Sequence, residues 1–231
     1  MGFSILALFL PVSHLLPIRR PALCYVTNRR EFTGDAVTAT KRLLEKIESA
    51  AKSGVDWIQI REKDLSGREL AGLVTCARQS AGSASKLLVN DRLDVAWACG
   101  ADGVHLGENA LPVSEARRFT GQQNKNRAFL VGASVHSLAS AQQAEADGAD
   151  YLIFGPVFAT PSKAGFGTPQ GLEKLQVICR RVEIPVLAIG GITQENAQKC
   201  LTSGARGIAA IRLFQEAPRL KDLVAQLKNA I

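Results

Sequence analysis

A short pattern recurs four times along this chain: a small residue, a glycine, an apolar residue and an aspartate, followed by a short apolar run. The glycines are Gly54, Gly100, Gly148 and Gly204, and the last copy carries Arg206 instead of an aspartate. Each glycine ends an amphipathic helical stretch, where a left-handed C-cap favours glycine. Each interval has room for two strand–helix units, so the pattern marks every second strand of an alternating α/β fold.

Apolar runs complete this alternation and predict eight strands. They cover residues 23–27, 57–61, 86–90, 103–106, 130–134, 151–154, 185–189 and 207–211. Helical patterns separate them, for example over residues 37–53, 67–79, 138–147 and 193–203. Strict alternation requires parallel pairing with right-handed crossovers. We therefore expect an α/β fold, a single-domain (β/α)8 TIM barrel, with a doubly wound sheet as the alternative.

The 231 residues, 46% of them hydrophobic, suit one large α/β domain better than two small ones. We assign residues 21–231 to the barrel and residues 1–20 to an N-terminal extension, either a loosely ordered tail or an extra helix. Its apolar run, from Phe3 to Leu16, precedes Arg19 and Arg20, whereas a secretory signal has the opposite order. The run is also too short to span a bilayer. A cytoplasmic protein without a membrane partner is the expectation.

The net charge of +7 and the pI near 9.4 fit an anionic partner. Nucleic acid is not expected, because the basic residues are scattered over helices and only two Trp and two Tyr could stack on bases. Small phosphorylated substrates suit the charge equally well. The five cysteines are odd in number and form no CxxC pair, which indicates reduced and mostly buried thiols. A homo-oligomer is compatible with this composition.

The carboxyl end of such a barrel carries its chemistry, so polar residues at the strand ends are candidates for an active site. The second strand ends with Gln59, Arg61 and Lys63 in alternation, which places these side chains on one side. Two cations and an amide that face inward indicate an anionic ligand. A structural salt bridge to Glu62 is the alternative, which the opposite facing of Glu62 disfavours.

The third and fifth strands end with residues suited to phosphate, metal or proton chemistry. Asn90 can donate to a phosphate, and Asp91 can ligate Mg²⁺ or simply N-cap the next helix. His136 is either a proton carrier or the residue that opens the fifth helix. His105 lies within the fourth strand and is interpreted as a satisfied core histidine.

Two glycine-containing loops are candidates for phosphate binding. After the sixth strand, Thr160 and Ser162 can donate to phosphate oxygens and Lys163 can place a positive charge on them. A mobile surface loop with an incidental lysine is the alternative, although loops of this length are more often functional. After the seventh strand, Gly190 and Gly191 let backbone N–H groups approach a phosphate.

Taken in order, these segments resemble the thiamine phosphate synthase family, together with its sister branch, the thiazole tautomerases. The similarity runs from about residue 23 to residue 214. The segments that carry it are 59–63, 89–91, 103–107, 134–137, 155–163, 169–172 and 188–193. Because so many matches occur in one order, the resemblance is more specific than any single motif.

The resemblance implies a transferase that joins hydroxymethylpyrimidine diphosphate to a thiazole phosphate. Diphosphate leaves, the thiazole nitrogen captures the pyrimidine-methyl cation, and thiamine phosphate forms. Mg²⁺ held by Asp91, together with Arg61, Lys63 and Lys163, would neutralise the leaving diphosphate, and Asn90 would position it.

The resemblance also divides the remaining site residues between the two substrates. Ser134 would sit near the pyrimidine, and the loops after the sixth, seventh and eighth strands would face the thiazole phosphate. The residues assigned to substrate binding are Gln59, Asn90, Thr160, Ser162, Gly190, Gly191, Ile211 and Arg212. The residues assigned to catalysis are Arg61, Lys63, Lys163, Ser134 and His136.

This chain departs from the family pattern at two positions. Synthases typically carry an acidic second Mg²⁺ ligand where this chain has Ala110. The site would then borrow Glu108, fill the gap with water, or bind the metal weakly. Arg212 stands where a small or hydroxyl residue is usual, and it either strengthens phosphate binding or forms a surface pair.

Two other functions remain open on the sequence. Loss of the second acid is a tautomerase-like trait, as is the run from Asn90 to Ala96, and an isomerase would use His136 as its acid–base group. Lys63, Asp91 and the segment 169–171 are synthase-like. A catalytically silent barrel that binds thiamine-related phosphates is the third alternative.

Overall fold

In a computed structural model, residues 20–123, 128–160 and 168–229 are described. Eight parallel strands close into a barrel in chain order, and the first pairs with the last. The strands are β1 Ala22–Val26, β2 Trp57–Ile60, β3 Lys86–Asn90, β4 Gly103–Leu106, β5 Leu130–Val135, β6 Tyr151–Phe154, β7 Val186–Ile189 and β8 Gly207–Ala210. The (β/α)8 barrel predicted from the alternation is confirmed, and each predicted strand end lies within one residue of the observed one.

Helices cover the outside of the barrel. They are α1 Ala36–Ser53, α2 Gly67–Ala81, α3 Leu93–Ala98, α4 Val113–Gln123, α5 Leu138–Ala146, α6 Gly171–Arg181, α7 Gln194–Thr202, α8 Arg212–Gln215 and α9 Leu220–Asn229. A 3₁₀ turn, Arg29–Glu31, follows β1. Local signals set several of these bounds: Ser66, Ser137 and Thr193 form N-terminal capping boxes.

The strands bury side chains on both faces, as parallel strands covered by helices must. One apolar cluster fills the barrel interior and includes Cys24, Trp57, Leu88, Tyr151 and Leu187. A larger cluster lies between the outer face of the strands and the helices. Because side chains alternate along a strand, the inward series continues from the interior cluster to polar residues at the carboxyl ends. This alternation directs those polar side chains into the mouth of the barrel.

The recurring aspartate fastens the opposite, amino-terminal end of the barrel. In each of its three copies, one carboxylate oxygen accepts a hydrogen bond from a backbone N–H of the preceding strand. The pairs are Asp56 with Leu23 at 2.9 Å, Asp102 with Leu87 at 2.6 Å and Asp150 with Val131 at 2.7 Å. Their cationic partners are Lys228, Arg78 and Arg117. Contacts at this end of a barrel serve stability, since the active sites of such barrels lie at the opposite end.

The five cysteines are free thiols; Cys24 and Cys200 are buried, and Cys76 is exposed. Burial raises the pKa of the Cys200 thiol to about 12, and the neighbouring Cys179 adds to this. Such buried thiols are unreactive at neutral pH.

Within the described residues, no helix combines the length and the apolar character that crossing a bilayer requires. Residues 1–19, which make up nearly all of the predicted extension, lie outside the described part of the chain.

Candidate active site

A hydrogen-bonded series joins three polar side chains at the carboxyl ends of β2 and β3. Asn90 donates from Nδ2 to Asp91 Oδ2 across 2.7 Å, and Gln59 donates from Nε2 to Asn90 Oδ1 across 2.9 Å. Because an ionised carboxylate only accepts hydrogen bonds, Asp91 fixes the orientation of the Asn90 amide, which then fixes that of Gln59. Gln59 Oε1 is buried and lacks a hydrogen-bond partner among the described residues. The series thus ends in a buried acceptor, for which an N–H donor would be the suitable partner.

Asp91 lies at the centre of this end of the site and has a left-handed backbone, with φ of 60°. Its Oδ1 accepts a hydrogen bond from the backbone N–H of Gly107 across 2.7 Å, and its Oδ2 lies 3.8 Å from Lys63 Nζ. The alternative that Asp91 caps the next helix is wrong, because the N-cap of α3 is Arg92 and makes no side-chain cap bond. A non-glycine residue in this backbone region costs about 1–3 kcal/mol and is typical of functional sites.

The loop after β2 carries the two predicted cations. Arg61 lies close enough to His105 to contribute to the lowered pKa of that imidazole. The Lys63 side chain is 60% exposed and faces the Asp91 carboxylate. A cavity of about 220 Å³ borders this loop; it is lined by Glu62, Lys63, Leu65, Leu70, Asn90, Asp91 and Arg92. Lys63 therefore lies beside open space large enough for a ligand group.

The buried carboxylate of Glu62 holds this loop from below, a role that the sequence did not predict. Glu62 pairs with residues after β1 and not with its neighbours Arg61 and Lys63. It accepts hydrogen bonds from Thr27 Oγ1 at 2.6 Å and from the backbone N–H of Arg29 at 3.0 Å. Thr27 Oγ1 in turn accepts from the backbone N–H of Arg61 at 2.9 Å. Burial raises the pKa of Glu62, while these hydrogen bonds oppose that rise.

The two histidines of the described residues, His105 and His136, lie in different environments. His105 faces the barrel interior, where its Nε2 lies 2.8 Å from Ser134 Oγ; it is a core histidine that also contacts a predicted site residue. His136 donates from Nδ1 to the carbonyl of Gly155 across 2.5 Å, and its Nε2 lies 3.9 Å from Glu108. The alternative that His136 opens α5 is wrong, because the N-cap of that helix is Ser137.

The loops after β6, β7 and β8 meet on the other side of the mouth. Arg212 donates from Nη2 to Thr160 Oγ1 across 3.2 Å, so the unusual arginine contacts a predicted phosphate ligand. Gly190 and Gly191 have φ of 96° and 63°, and a Cβ on Gly190 would lie 2.5 Å from Pro156 Cβ. The glycines therefore let the β7 loop pack against the β6 loop. Ser162 and Lys163 lie outside the described residues.

Sequence reasoning found the mouth but missed the residues that support it. The sequence places Thr27 only at a strand end, and its complete burial is seen only in the structure. Tyr151 was interpreted only as part of an apolar run, although its inward register points it at His105. Ala110 occupies a turn in which its N–H donates to the carbonyl of Gly107, and it supplies no carboxylate.

The sequence matches the family model described as thiamine monophosphate synthase over residues 23–214. The chain belongs to this family. A thiamine-phosphate synthase of Methanoculleus marisnigri is 49% identical over 163 residues, which are 70% of this chain and 75% of that protein. One of Moorella thermoacetica is 43% identical over 194 residues, covering 80% of this chain and 90% of that protein.

A solved structure gives the same assignment. Thiamine phosphate pyrophosphorylase from Pyrococcus furiosus is 34% identical, with a TM-score of 0.77. The alignment covers 92% of this chain and 96% of that one, so the likeness extends over the barrel as a whole. The resemblance stated from the sequence motifs is confirmed at the level of the family.

Proposed function

We propose that this protein is a thiamine-phosphate synthase, a transferase that joins hydroxymethylpyrimidine diphosphate to a thiazole phosphate. The C–O bond between the pyrimidine methylene and diphosphate breaks, and the bonding electrons leave with diphosphate. The thiazole nitrogen then donates its lone pair to that methylene and forms the C–N bond of thiamine phosphate. The observation that carries the proposal is the series from Gln59 through Asn90 to Asp91, whose carboxylate lies 3.8 Å from Lys63 Nζ. At its other end, the buried Gln59 Oε1 has no donor among the described residues.

Departure of diphosphate is the costly step, because negative charge grows on the leaving group. Arg61 and Lys63 would stabilise that charge from the β2 loop, and Lys163 would do so from the loop after β6. One such electrostatic stabiliser typically contributes about 10²–10³ in rate. The hydrogen bond from Arg61 N–H to Thr27 keeps the β2 loop in place, so less reorganisation is needed during the reaction.

Magnesium fits this end of the site through a single carboxylate. Asp91 would hold Mg²⁺, which accepts one or two carboxylates together with phosphate oxygens and water. The described residues contain no cluster of three or more His, Cys, Asp or Glu side chains able to hold a metal. Bound there, the ion would supply charge neutralisation for the diphosphate, and Lys63 would supply a second positive charge 3.8 Å from the same carboxylate.

The orphan oxygen of Gln59 suits the pyrimidine rather than the diphosphate. A diphosphate has no N–H to offer, whereas the exocyclic amino group of the pyrimidine is a donor. An unpaired buried acceptor costs about 1–3 kcal/mol, and the bound amino group would relieve that cost. Ser134, at the end of β5, would contact the same substrate.

The thiazole phosphate would bind on the opposite side of the mouth. Thr160 and Arg212 already meet there, and a guanidinium suits phosphate oxygens because of its planar array of donors. Ser162, Gly190, Gly191 and Ile211 complete the proposed set. The substrates would thus enter with their phosphates on opposite sides and their reacting atoms between them.

The test is to incubate the purified protein with both substrates, with and without Mg²⁺, and to measure thiamine phosphate by chromatography. Formation of thiamine phosphate and diphosphate in equal amounts is the expected result. Absence of product at every Mg²⁺ concentration would overturn the proposal.

One observation favours a second candidate, the thiazole tautomerase reaction. His136 donates from Nδ1 to Gly155, which leaves the Nε2 lone pair of the neutral ring available as a base. If the protein makes no thiamine phosphate, yet interconverts thiazole tautomers and loses that activity on His136→Ala, the isomerase assignment replaces the synthase assignment. Loss of both activities with retained binding of thiamine-related phosphates would indicate a binding protein.

A further inference from the structure

Three polar side chains form a continuous series inside the barrel, below the mouth. The Tyr151 hydroxyl lies 3.2 Å from His105 Nδ1, and His105 Nε2 lies 2.8 Å from Ser134 Oγ. Tyr151 and His105 are buried, whereas Ser134 is half-buried at the end of β5. The series therefore connects the apolar interior of the barrel to a serine at the mouth.

The sequence makes room for this series with one glycine. Gly132 pairs with His105 of β4 on one side and with Tyr151 of β6 on the other. A Cβ on Gly132 would lie 2.0 Å from Tyr151 Cζ and 2.5 Å from its hydroxyl oxygen. The phenol thus crosses the vacant side-chain position of Gly132 to reach the imidazole. Trp57 packs edge-on against the same phenol, with ring centroids 4.7 Å apart.

The imidazole in this series is buried, and hydroxyl groups lie against both of its ring nitrogens. A neutral ring, with one donor and one acceptor nitrogen, suits these partners, because each hydroxyl can donate or accept. Burial raises the pKa of the Tyr151 phenol well above its ordinary value, with Cys24 and Asp150 adding to the rise. The phenol therefore keeps its proton and can donate it.

Two arrangements of hydrogen-bond donors and acceptors are possible along the series. If Tyr151 donates to Nδ1, then Nε2–H of His105 donates to Ser134 Oγ, and every buried donor has an acceptor. If Nδ1–H donates to Tyr151 instead, the phenol hydrogen needs another acceptor, and the described residues provide none. A buried hydroxyl without an acceptor costs free energy, so the first arrangement is favoured.

We infer that Tyr151 is a positioning residue that holds His105 in its Nε2-protonated tautomer, so that Ser134 accepts from His105 and directs its own hydroxyl hydrogen into the mouth. Ser134 then offers a donor of fixed direction to an acceptor atom of the pyrimidine substrate. This role rests on the proposed function, since it gives Ser134 a partner only when that substrate is bound. His105, interpreted from the sequence as a core residue, would transmit the orientation.

The proton order can be measured without turnover. The chain has three histidines, His14, His105 and His136, so a protein labelled with ¹⁵N-histidine gives few imidazole signals. His105→Asn identifies the signals of His105 by their loss. We expect wild-type His105 to be the Nε2–H tautomer and Tyr151→Phe to shift its two nitrogen signals towards averaged positions. An Nδ1–H tautomer in the wild type, or an unchanged tautomer in Tyr151→Phe, would overturn the inference.

Tyr25→Phe is the matched control. Tyr25 is also fully buried, but its hydroxyl donates to Gln215 Oε1 across 2.9 Å, outside the barrel interior. This variant loses a buried hydroxyl of the same kind, so its thermal stability shows the effect of the deletion alone. We expect it to leave the His105 tautomer unchanged; a tautomer shift of equal size in Tyr25→Phe would contradict a specific role for Tyr151.

Kinetics test the transmission through Ser134. Tyr151→Phe should lower kcat about tenfold and leave the KM for thiazole phosphate unchanged, since it misdirects one hydrogen bond at the reacting centre. In a Ser134→Ala background the same change should have less than about a twofold effect on kcat, because residues that act through one another are not additive. Equal losses in both backgrounds would mean that Tyr151 acts only on the fold.

The ¹⁵N spectra and the kinetic measurements together separate the inference from the function on which it rests. A wild type that forms no thiamine phosphate removes the proposed function, while the ¹⁵N spectra still decide the proton order. An active wild type with the expected tautomer and a non-additive cycle supports both. An active wild type with additive losses retains the synthase and removes the positioning role.

Discussion

Gln59 donates its Nε2 hydrogen to Asn90 Oδ1 across 2.9 Å, and its buried Oε1 has no hydrogen-bond donor in the part of the chain that the structure describes. The order of donors along the series begins at the Asp91 carboxylate, which cannot donate when ionised. One backbone-fixed anion thereby determines the hydrogen-bonding character of a side chain on the neighbouring strand. A buried acceptor without a donor weakens the fold, and a ligand donor that reached it would relieve that cost.

Gln59→Met should separate stability from function. Methionine retains an unbranched side chain of similar size but removes the buried orphan oxygen, so the free energy of unfolding should rise by about 1 kcal/mol. Asn90 is half-buried, so water can replace the lost donor. The kcat/KM for pyrimidine diphosphate should fall roughly 10- to 100-fold, since the amino group of the substrate loses its acceptor. Urea unfolding and initial rates measure both effects; a destabilised variant with normal rates would contradict the account.

Arg61→Ala and Lys163→Ala should each lower the rate of transfer by about a hundredfold or more, the scale of losing one electrostatic stabiliser. Lys52→Ala is the control, because Lys52 lies at the far end of α1 and pairs only with Glu48 among the described residues. It should retain the wild-type rate. Near-normal rates in both Arg61→Ala and Lys163→Ala would remove these cations from the mechanism.

The metal prediction compares two substitutions. Asp91→Asn retains an oxygen for the Gly107 N–H and tolerates the left-handed backbone, so the fold should persist. It removes the carboxylate, so the Mg²⁺ concentration for half-maximal rate should rise about tenfold or more. Ala110→Asp should lower that concentration, because a second carboxylate offsets more of the cost of dehydrating the ion. Identical Mg²⁺ titrations for wild type and Asp91→Asn would show that Asp91 holds no metal.

The sequence predicted the strands well because each had its own apolar run and every second strand was also preceded by a glycine turn. It also placed Gln59, Asn90 and Ser134 at one mouth, since parallel strands in a closed barrel bring their carboxyl ends together. It did not predict the partners of these residues. Glu62 is adjacent to two cations in the sequence, yet it bonds to Thr27 and to the backbone of Arg29.

Such contacts form between residues more than thirty positions apart, for example between Thr27 and Glu62. Alternation gives the face on which a side chain lies, but it does not say which neighbour across the barrel the side chain reaches. Tyr151 illustrates this: its register was readable, but its contact with His105 depends on the absence of a side chain at Gly132.

Thr27→Val tests the anchor beneath the β2 loop. Valine has nearly the shape of threonine, but it leaves the Arg61 N–H without an acceptor and Glu62 without one donor. The free energy of unfolding should fall by about 1–3 kcal/mol. The KM for pyrimidine diphosphate should rise because the loop that carries Arg61 loosens. Thr75→Val is the matched control: its hydroxyl donates to Ala71 on an exposed helix face, so neither quantity should change appreciably. Equal effects of the two substitutions would show that Thr27 anchors nothing specific.

Asp150→Ala should weaken the fold without changing the chemistry. The Asp150 carboxylate is buried at the amino-terminal end of the barrel, where it accepts from the Val131 N–H and pairs with Arg117. Removing one partner of a buried ion pair costs about 3–5 kcal/mol because the other charge is left uncompensated. At a temperature where the variant remains folded, kcat should match the wild type, since catalysis belongs to the opposite end. Circular dichroism melts and initial rates on the same samples test this, and a large fall in kcat at full folding would place Asp150 in the function of the mouth.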